Sequence, residues 1–188
     1  MLDNLISKIK SLSNFSQSDV DLFTGSLEER CIKKGEHILE EGQICRHLFY
    51  IQTGLMMVYK NNDGIEIPYC FMAENEWIGL MKSFNEKIPS DKAIKALEDT
   101  KLFRLSADKL EQLFKLQPKF LILKNDYLEH TLMEVARHSA DLRLLDAKNK
   151  YFKFRENNPT LINRIPQYYI AAYLGVKPQS ISRIRKEG

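Results

Sequence analysis

Glycines at near-regular spacing divide residues 30–72 into short runs, and this feature limits the possible folds more than any other. The runs between them are rich in β-branched and aromatic residues. Such short runs, separated by glycine turns, are typical of a small antiparallel barrel or jelly roll. The segment Asn62-Asp63-Gly64 predicts a hairpin, because glycine accepts the positive φ that this turn requires. The glycines of the region are Gly35, Gly42, Gly54 and Gly64.

The segments on either side of this region complete an α+β pattern. Apolar spacing predicts a helix over residues 2–12 and a second helix capped by Ser16. Residues 74–89 are expected to form an irregular loop, whereas residues 93–97 and 101–105 are expected to form two more strands. The predicted fold class is therefore α+β, with an N-terminal antiparallel β-barrel or jelly roll, a long helix and C-terminal helices.

The long helix has a heptad pattern. Ser106 is a candidate N-cap for a helix that ends before Pro118, and a longer helix follows it. One face of the longer helix repeats in four- and three-residue steps, as in a coiled coil. A lid packed on the barrel is one interpretation, but a seam that contains asparagine favours a parallel self-pairing helix, so we expect dimerisation. The seam consists of Leu121, Asn125, Leu128, Leu132, Val135, Ser139 and Leu142.

Residues 164–186 have the pattern of a helix-turn-helix. Gly175 fits a tight turn after the first helix, and Pro178 is tolerated in the first turn of the second. Apolar residues at helical spacing anchor the two helices to each other, and cations follow on the second helix. An ordinary helical hairpin with a solvated basic face is the alternative. The anchors are Ile170, Ala171, Leu174, Ile181 and Ile184.

The second helix of this pair is the predicted DNA contact. Its polar and cationic side chains would face a groove while the anchors face the first helix. The chain as a whole has a net charge of +3, but residues 137–188 contain 11 Lys and Arg against 4 Asp and Glu, and residues 1–136 contain 17 against 21. A basic end on an acidic body indicates a polyanionic partner. The candidate DNA-binding residues are Lys177, Gln179, Ser180, Ser182, Arg183, Arg185 and Lys186.

Composition and motifs exclude several classes of protein. Cys31, Cys45 and Cys70 form no CxxC pair, which indicates buried thiols rather than a disulfide framework. The sequence has no apolar core of a signal peptide and no run near the ~18 apolar residues of a membrane span, so we expect a cytoplasmic protein without a membrane partner. We find no GxxxxGK[ST], no HExxH and no paired nucleophile and base, so an enzyme is not expected.

The order of barrel, long helix and helix-turn-helix resembles the Crp/Fnr family of bacterial transcription regulators over nearly the whole chain. Three stretches look like the opening of the family's cyclic-nucleotide-binding fold, namely GEHI at 35–38, EG at 41–42 and LFYIQTG at 48–54. The C-terminal stretches IPQYYIAAYLG and SISRIRK look like the variants common in Bacteroidetes. The resemblance divides the chain into a cyclic-nucleotide-binding-like sensor domain (1–117), a dimerisation helix (118–145) and a helix-turn-helix domain (146–188).

The resemblance implies a homodimer that binds a palindromic double-stranded DNA. Its two DNA-reading helices would enter successive major grooves about one helical turn apart, ~34 Å. Arg183 would bond to guanine and Gln179 to adenine, while Ser180 and the remaining cations would contact phosphates. If the protein is an activator, RNA polymerase is a further partner. A ligand-binding signalling protein whose C-terminal helices contact a protein rather than DNA is the competing hypothesis.

The resemblance also implies an effector pocket. The residues of this sequence that correspond to that pocket differ from those of the family's cAMP-binding members. Cyclic-AMP-binding members have Gly-Glu, whose glutamate bonds to the ribose, and Arg-Ser or Arg-Thr, whose arginine neutralises the phosphate. Here these pairs are Gly79-Leu80 and Ser90-Asp91. Leucine accepts no hydrogen bond and aspartate repels phosphate, so standard cAMP binding is not expected. The candidate pocket residues are Gly79, Leu80, Met81, Lys82, Ser90, Asp91, Lys92 and Ala93.

Other kinds of effector site remain open at this stage. Lys82, Lys92 or Lys95 would supply a substitute cation, though without the bidentate geometry of arginine. The pocket is then either empty or takes another, more apolar ligand. An iron–sulfur cluster would need N-terminal cysteines, and the sequence has none before Cys31. Haem would need an axial ligand, for which His37, His47, Cys45 and Cys70 are available, but a lone histidine in such a domain is more often a surface or hydrogen-bonded residue. His130 and His138 lie eight residues apart on the long helix with no third metal ligand nearby. No cofactor and no metal are therefore expected.

Overall fold

Eight strands form two four-stranded antiparallel sheets within residues 2–187, which the computed structural model describes. The strands are β1 (Glu28–Ile32), β2 (His37–Leu39), β3 (His47–Thr53), β4 (Met56–Asn62), β5 (Ile65–Met72), β6 (Trp77–Ile78), β7 (Ala93–Ala96) and β8 (Thr100–Ser106). The first sheet has the order β1-β8-β3-β6 and the second has the order β2-β7-β4-β5. This arrangement confirms the jelly roll that the glycine spacing predicts.

The hairpin predicted at residues 62–64 joins β4 to β5. Asp63 and Gly64 both have positive φ, 51° and 85°, as a two-residue type I′ turn requires. The Gly64 amide donates to Asn61 Oδ1 at 2.8 Å. The pairing continues from Asn62 opposite Ile65 along both strands. The local sequence therefore determines the position of this hairpin.

The predicted helices are present with nearly the expected boundaries. Ser16 forms a capping box with Asp19 at the start of the second helix, and the Ser106 hydroxyl accepts from the Lys109 amide at 3.2 Å at the start of the fourth. The helices are α1 (Asp3–Leu12), α2 (Gln17–Gly25), α3 (Met81–Glu86), α4 (Ala107–Leu116), α5 (Leu121–Leu144), α6 (Ala147–Asn157), α7 (Gln167–Leu174) and α8 (Pro178–Glu187). A single 3₁₀ turn, Pro118–Phe120, joins α4 to α5.

The prediction of an irregular loop over residues 74–89 is wrong. This segment contains the short strand β6, which pairs with Phe49 and Tyr50 of β3, and the six-residue helix α3. Phe84 of α3 is buried in the barrel core. Elements of two and six residues are too short to show a hydrophobic period, so pairing with β3 and packing of Phe84 determine them rather than local sequence.

Two apolar cores lie on opposite faces of the second sheet. Met56 and Val58 of β4 belong to the barrel core, whereas their neighbours Met57 and Tyr59 belong to a second core. Alternation along a strand places successive side chains on opposite faces, and here both faces are buried. The second core also contains buried residues of α6, α7 and α8. The C-terminal helices therefore pack on the outer face of the barrel.

The long helix α5 packs loosely against the rest of the chain. None of its residues is fully buried. In its N-terminal half, Leu123 packs against the barrel core, and a surface ion pair of 3.1 Å joins Asp126 to Lys8 of α1. No helix within residues 2–187 is long and apolar enough to cross a membrane.

Candidate DNA-binding surface and effector region

Helices α7 and α8 form the helix-turn-helix that the sequence predicts. Gly175 follows α7 with a φ of 65°, a left-handed conformation that glycine adopts without steric cost. The Val176 amide donates to the Ala171 carbonyl at 2.9 Å, and the Gly175 amide donates to the Ala172 carbonyl at 3.2 Å. This pair of bonds is a Schellman motif, which ends α7 and turns the chain into α8.

The predicted anchors orient α8. Ile181 is fully buried and Ile184 is 6% exposed, and both belong to the second core. Ile170, Ala171 and Leu174 of α7 are buried in the same core. Because one face of α8 is fixed by these contacts, its opposite face points to solvent.

The exposed face of α8 carries the predicted DNA-binding residues, and we call it the recognition face. It consists of Lys177, which immediately precedes the helix, and of Gln179, Ser180, Ser182, Arg183, Arg185 and Lys186. All of them are exposed except Ser180, which is half-buried. The cations of this face make no ion pair with residues 2–186, so their charge is available to a polyanion.

The predicted seam of α5 is an exposed apolar stripe. Leu121, Leu128, Leu132 and Val135 are 44%, 37%, 69% and 61% exposed. Asn125 is exposed as well, while Ser139 and Leu142 are half-buried near the C-terminal helices. Large apolar side chains at 3.5-residue spacing that the chain itself leaves uncovered are the surface that a second helix would bury.

The predicted effector residues gather around α3 and the start of β7. Gly79 lies so close to β3 that a Cβ there would stand 2.6 Å from Leu48 Cδ2. Leu80 and Met81 pack against the barrel core, whereas Lys82 is exposed and makes no ion pair with any described residue. Apolar side chains of β4 and β7 form the adjacent interior, including Met56, Val58, Ile94 and Ala96.

Ser90 and Asp91 make contacts within the protein. The buried Ser90 hydroxyl donates to the Lys92 carbonyl at 2.9 Å and accepts from the Lys92 amide at 3.0 Å. The Asp91 carboxylate accepts from Lys92 at 3.0 Å and from Lys60 at 3.5 Å, and the bond from Lys92 is the main cause of its lowered pKa. Asp91 is therefore an anion at neutral pH. A cyclic phosphate bound at this position would need a cation instead.

The histidines and cysteines of the barrel form no metal site among the described residues. His37 Nε2 lies 2.8 Å from the Tyr59 hydroxyl, and burial lowers the pKa of His47. Burial likewise raises the pKa of the Cys45 thiol and raises that of Cys70 to about 12. The His47 ring and the two thiols are therefore neutral at physiological pH, as expected for structural residues.

Two polar clusters connect the C-terminal helices to the barrel, and the sequence analysis did not identify them. The guanidinium of Arg164 donates to the Glu74 carboxylate at 2.9 Å and to the Glu98 carboxylate at 2.7 Å. These bonds raise the pKa of Arg164, and the bond from Arg164 lowers the pKa of Glu74 to about 2. The partners are 90 and 66 residues apart in sequence, so no local pattern could reveal them.

The second cluster joins Lys95 of β7, Glu66 of β5 and Tyr169 of α7. Lys95 Nζ donates to Glu66 at 2.6 Å and to the Tyr169 hydroxyl at 3.0 Å, and Tyr169 also donates to Glu66. Burial opposes ionisation of Glu66, but the bonds from Lys95 and Tyr169 outweigh it and lower the pKa of Glu66. Burial, followed by the bond to Glu66, raises the pKa of Tyr169.

A ring stack connects α5 to the same helices. The rings of His138 and Tyr173 lie 4.1 Å apart and nearly parallel, at 11°. Burial lowers the pKa of His138 and raises that of Tyr173. The half-buried end of the seam therefore meets α7 through neutral aromatic rings.

Comparison with known proteins identifies the barrel and the overall fold. The cyclic nucleotide-binding domain family matches residues 29–117. No curated protein matches the chain in sequence. Among solved structures, the c-di-GMP-responsive global regulator CLP of Xanthomonas campestris superposes with a TM-score of 0.74 at 17% identity, over 92% of this chain and 91% of that one.

Two further structures have similar architectures. FixK2 of Bradyrhizobium japonicum gives a TM-score of 0.73 at 18% identity, over 86% of this chain and 83% of its own. A protein of Eubacterium rectale assigned to the Crp/Fnr family of transcriptional regulators gives 0.69 at 19% identity, over 93% and 83%. Residues 29–117 therefore match the cyclic nucleotide-binding domain family, and the chain as a whole has a fold similar to that of these regulators, one of which is assigned to the Crp/Fnr family.

Proposed function

We propose that this protein is a homodimeric, sequence-specific DNA-binding transcription regulator and not an enzyme. The observation that supports it best is the recognition face, where Gln179 and cations that form no ion pair with residues 2–186 point outward from a helix that Ile181 and Ile184 fix in place. We also propose the division into a sensor domain (1–117), a dimerisation helix (118–145) and a helix-turn-helix domain (146–188).

DNA binding would use two copies of α8. Pairing of the α5 seams would relate the two copies by a two-fold axis, so a palindromic site with half-sites ~34 Å apart is expected. Arg183 would donate two bonds to guanine O6 and N7, and Gln179 would bond to adenine. Lys177, Ser180, Ser182, Arg185 and Lys186 would contact phosphates and fix the register.

The salt dependence of DNA affinity tests this function. The DNA is a palindrome selected from a random duplex pool. When the protein binds it, Lys177, Arg185 and Lys186 of each protomer would neutralise phosphates and release counterions. Six such contacts predict that log K falls with log salt concentration with a slope of about −5. The affinity is measured by fluorescence anisotropy between low and physiological salt. Absence of DNA binding, or a slope near zero, would instead favour a protein partner for the C-terminal helices.

The sensor barrel is proposed not to bind cAMP in the usual way. Leu80 offers no acceptor for the ribose hydroxyl, and Asp91 places a negative charge where the phosphate would lie. The fold itself does not restrict the effector, since CLP is described as responsive to c-di-GMP. An effector of a different kind, or none, is therefore consistent with this barrel.

Addition of cAMP is expected to leave the thermal stability of the protein unchanged. A site occupied at 100 times its Kd would stabilise the fold by about 2.7 kcal/mol, which a thermal melt resolves easily. The measurement compares melting temperatures with and without millimolar cAMP, with AMP as the control for nonspecific nucleotide binding. A saturable increase with cAMP alone would contradict the proposal.

A further inference from the structure

Strand β7 contacts both cores of the protein. Ile94 and Ala96 point into the barrel core, whereas Ala93 and Leu97 belong to the second core with the C-terminal helices. Lys95 also points outward and bonds to Tyr169 of α7. A displacement of this strand would therefore shift residues on both sides of the sheet, because close-packed interiors transmit strain.

The N-terminal end of β7 continues from the candidate effector region. Ser90 lies three residues before the strand, and its hydroxyl bonds to both backbone groups of Lys92, the residue next to the strand. The Gly42 amide donates to the Ser90 carbonyl at 2.8 Å, and the Ser90 amide donates to the Gln43 carbonyl at 2.9 Å. These bonds fix where β7 enters the sheet.

The C-terminal end of β7 connects to the helix-turn-helix. Lys95 and Glu66 bind Tyr169, and Glu98, two residues beyond the strand, binds Arg164 together with Glu74. We call these two clusters the clamp. Tyr169 is on α7, and Arg164 lies three residues before α7 begins. The clamp therefore fixes the orientation of α7 relative to the sheet, and α8 follows α7 through the shared anchors.

We propose that β7 and the clamp couple the effector region to the recognition face, so that a change at Ser90–Lys92 alters how firmly α7 and α8 are docked on the barrel. This inference rests on the proposed function for its biological meaning. The coupling itself, between the two ends of β7, does not depend on DNA. The coupling has two ends that can each be perturbed by a single substitution.

The first test is hydrogen exchange of α7 in the full-length protein. Ser90→Ala removes the bonds to Lys92 and is expected to increase the exchange rate of α7 amides by about twofold to thirtyfold, the range of typical intramolecular couplings. Ser83→Ala is the matched control. Ser83 is also a buried serine, bonded to the Cys45 amide and the Ile88 carbonyl, but it is not joined to β7.

The second test repeats the measurement with the Arg164 cluster of the clamp removed. Arg164→Ala is expected to increase α7 exchange by itself and to reduce the further effect of Ser90→Ala, while the bond from Lys95 to Tyr169 still joins β7 to α7. Glu98→Gln serves the same purpose if Arg164→Ala does not fold. Lys153→Ala, which removes a cation without an ion pair among residues 2–186, controls for charge.

The outcomes distinguish the coupling from a structural effect and from the proposed function. Equal effects of Ser90→Ala and Ser83→Ala on α7 would overturn the coupling, as would a Ser90→Ala effect that is undiminished in the Arg164→Ala background. Non-additivity confined to Ser90 and Arg164 would support it. Because exchange is measured without DNA, loss of DNA binding would count against the proposed function and leave the coupling intact.

Discussion

Replacing Arg183 with alanine is expected to abolish specific DNA binding while the fold is retained. Arg183 is exposed on the recognition face and makes no ion pair within residues 2–186, so the protein does not depend on it for stability. One bidentate arginine–guanine contact contributes about 1–3 kcal/mol to discrimination, so two half-sites lose about 2–6 kcal/mol, roughly 30-fold or more in Kd. A gel-shift titration of the selected palindrome measures this loss.

Arg185→Ala is the matched control, since Arg185 is an exposed cation on the same helix. A phosphate contact is expected to weaken binding to all sequences alike and to reduce the salt slope by about 1 per contact. Arg183→Ala should instead reduce the preference for the palindrome over random duplex. Unchanged affinity and preference of the Arg183→Ala protein would refute the assignment of α8 as the DNA-reading helix.

Replacing Leu132 with aspartate is expected to convert the protein to monomers. Leu132 is 69% exposed in the single chain and lies in the middle of the seam. The substitution removes two leucines from the proposed interface, each contributing about 1.5–3 kcal/mol, and places two carboxylates opposite each other, so dimerisation should weaken at least about 100-fold. Light scattering after size exclusion would then give the 22.0 kDa mass of one chain.

Met133→Asp tests whether the seam is specific. Met133 is 65% exposed and neighbours Leu132, but it lies off the seam on the outer side of a paired helix. We expect it to leave the mass and DNA affinity unchanged, whereas Leu132→Asp should lower DNA affinity because each half-site is then bound alone. A dimer that survives Leu132→Asp, or an equal effect of Met133→Asp, would rule out pairing through this seam.

Local sequence signals predicted the elements on which these experiments rest. The left-handed conformation at Gly175 and the turn at residues 62–64 are conformations that few residues adopt, so the sequence reveals them directly. The Ser16 and Ser106 caps use donors within three residues. Periodicity over 24 residues likewise gave α5 and its exposed stripe. Such signals require only a few neighbouring residues.

The sequence predicts less about the second sheet, both faces of which are buried. A strand buried on both faces has no alternation of apolar and polar residues, so the run Leu55–Val58 predicts a strand but not what covers its two sides. The short elements β6 and α3 exist because β3 and the barrel core lie next to them. Their stabilising contacts come from residues that are distant in the chain.

Arg164 is the clearest example of a residue whose contacts the tertiary structure shows and the sequence does not predict. The sequence by itself determined the barrel strands other than β6, the seam and the anchored helix-turn-helix, because each depends on periodicity or on the conformational preferences of adjacent residues. Only the tertiary structure decided that Arg164, the first residue of the predicted helix-turn-helix segment, bonds to Glu74 and Glu98. A charged pair is defined by proximity in space, and folding brings these three residues together from distant parts of the chain.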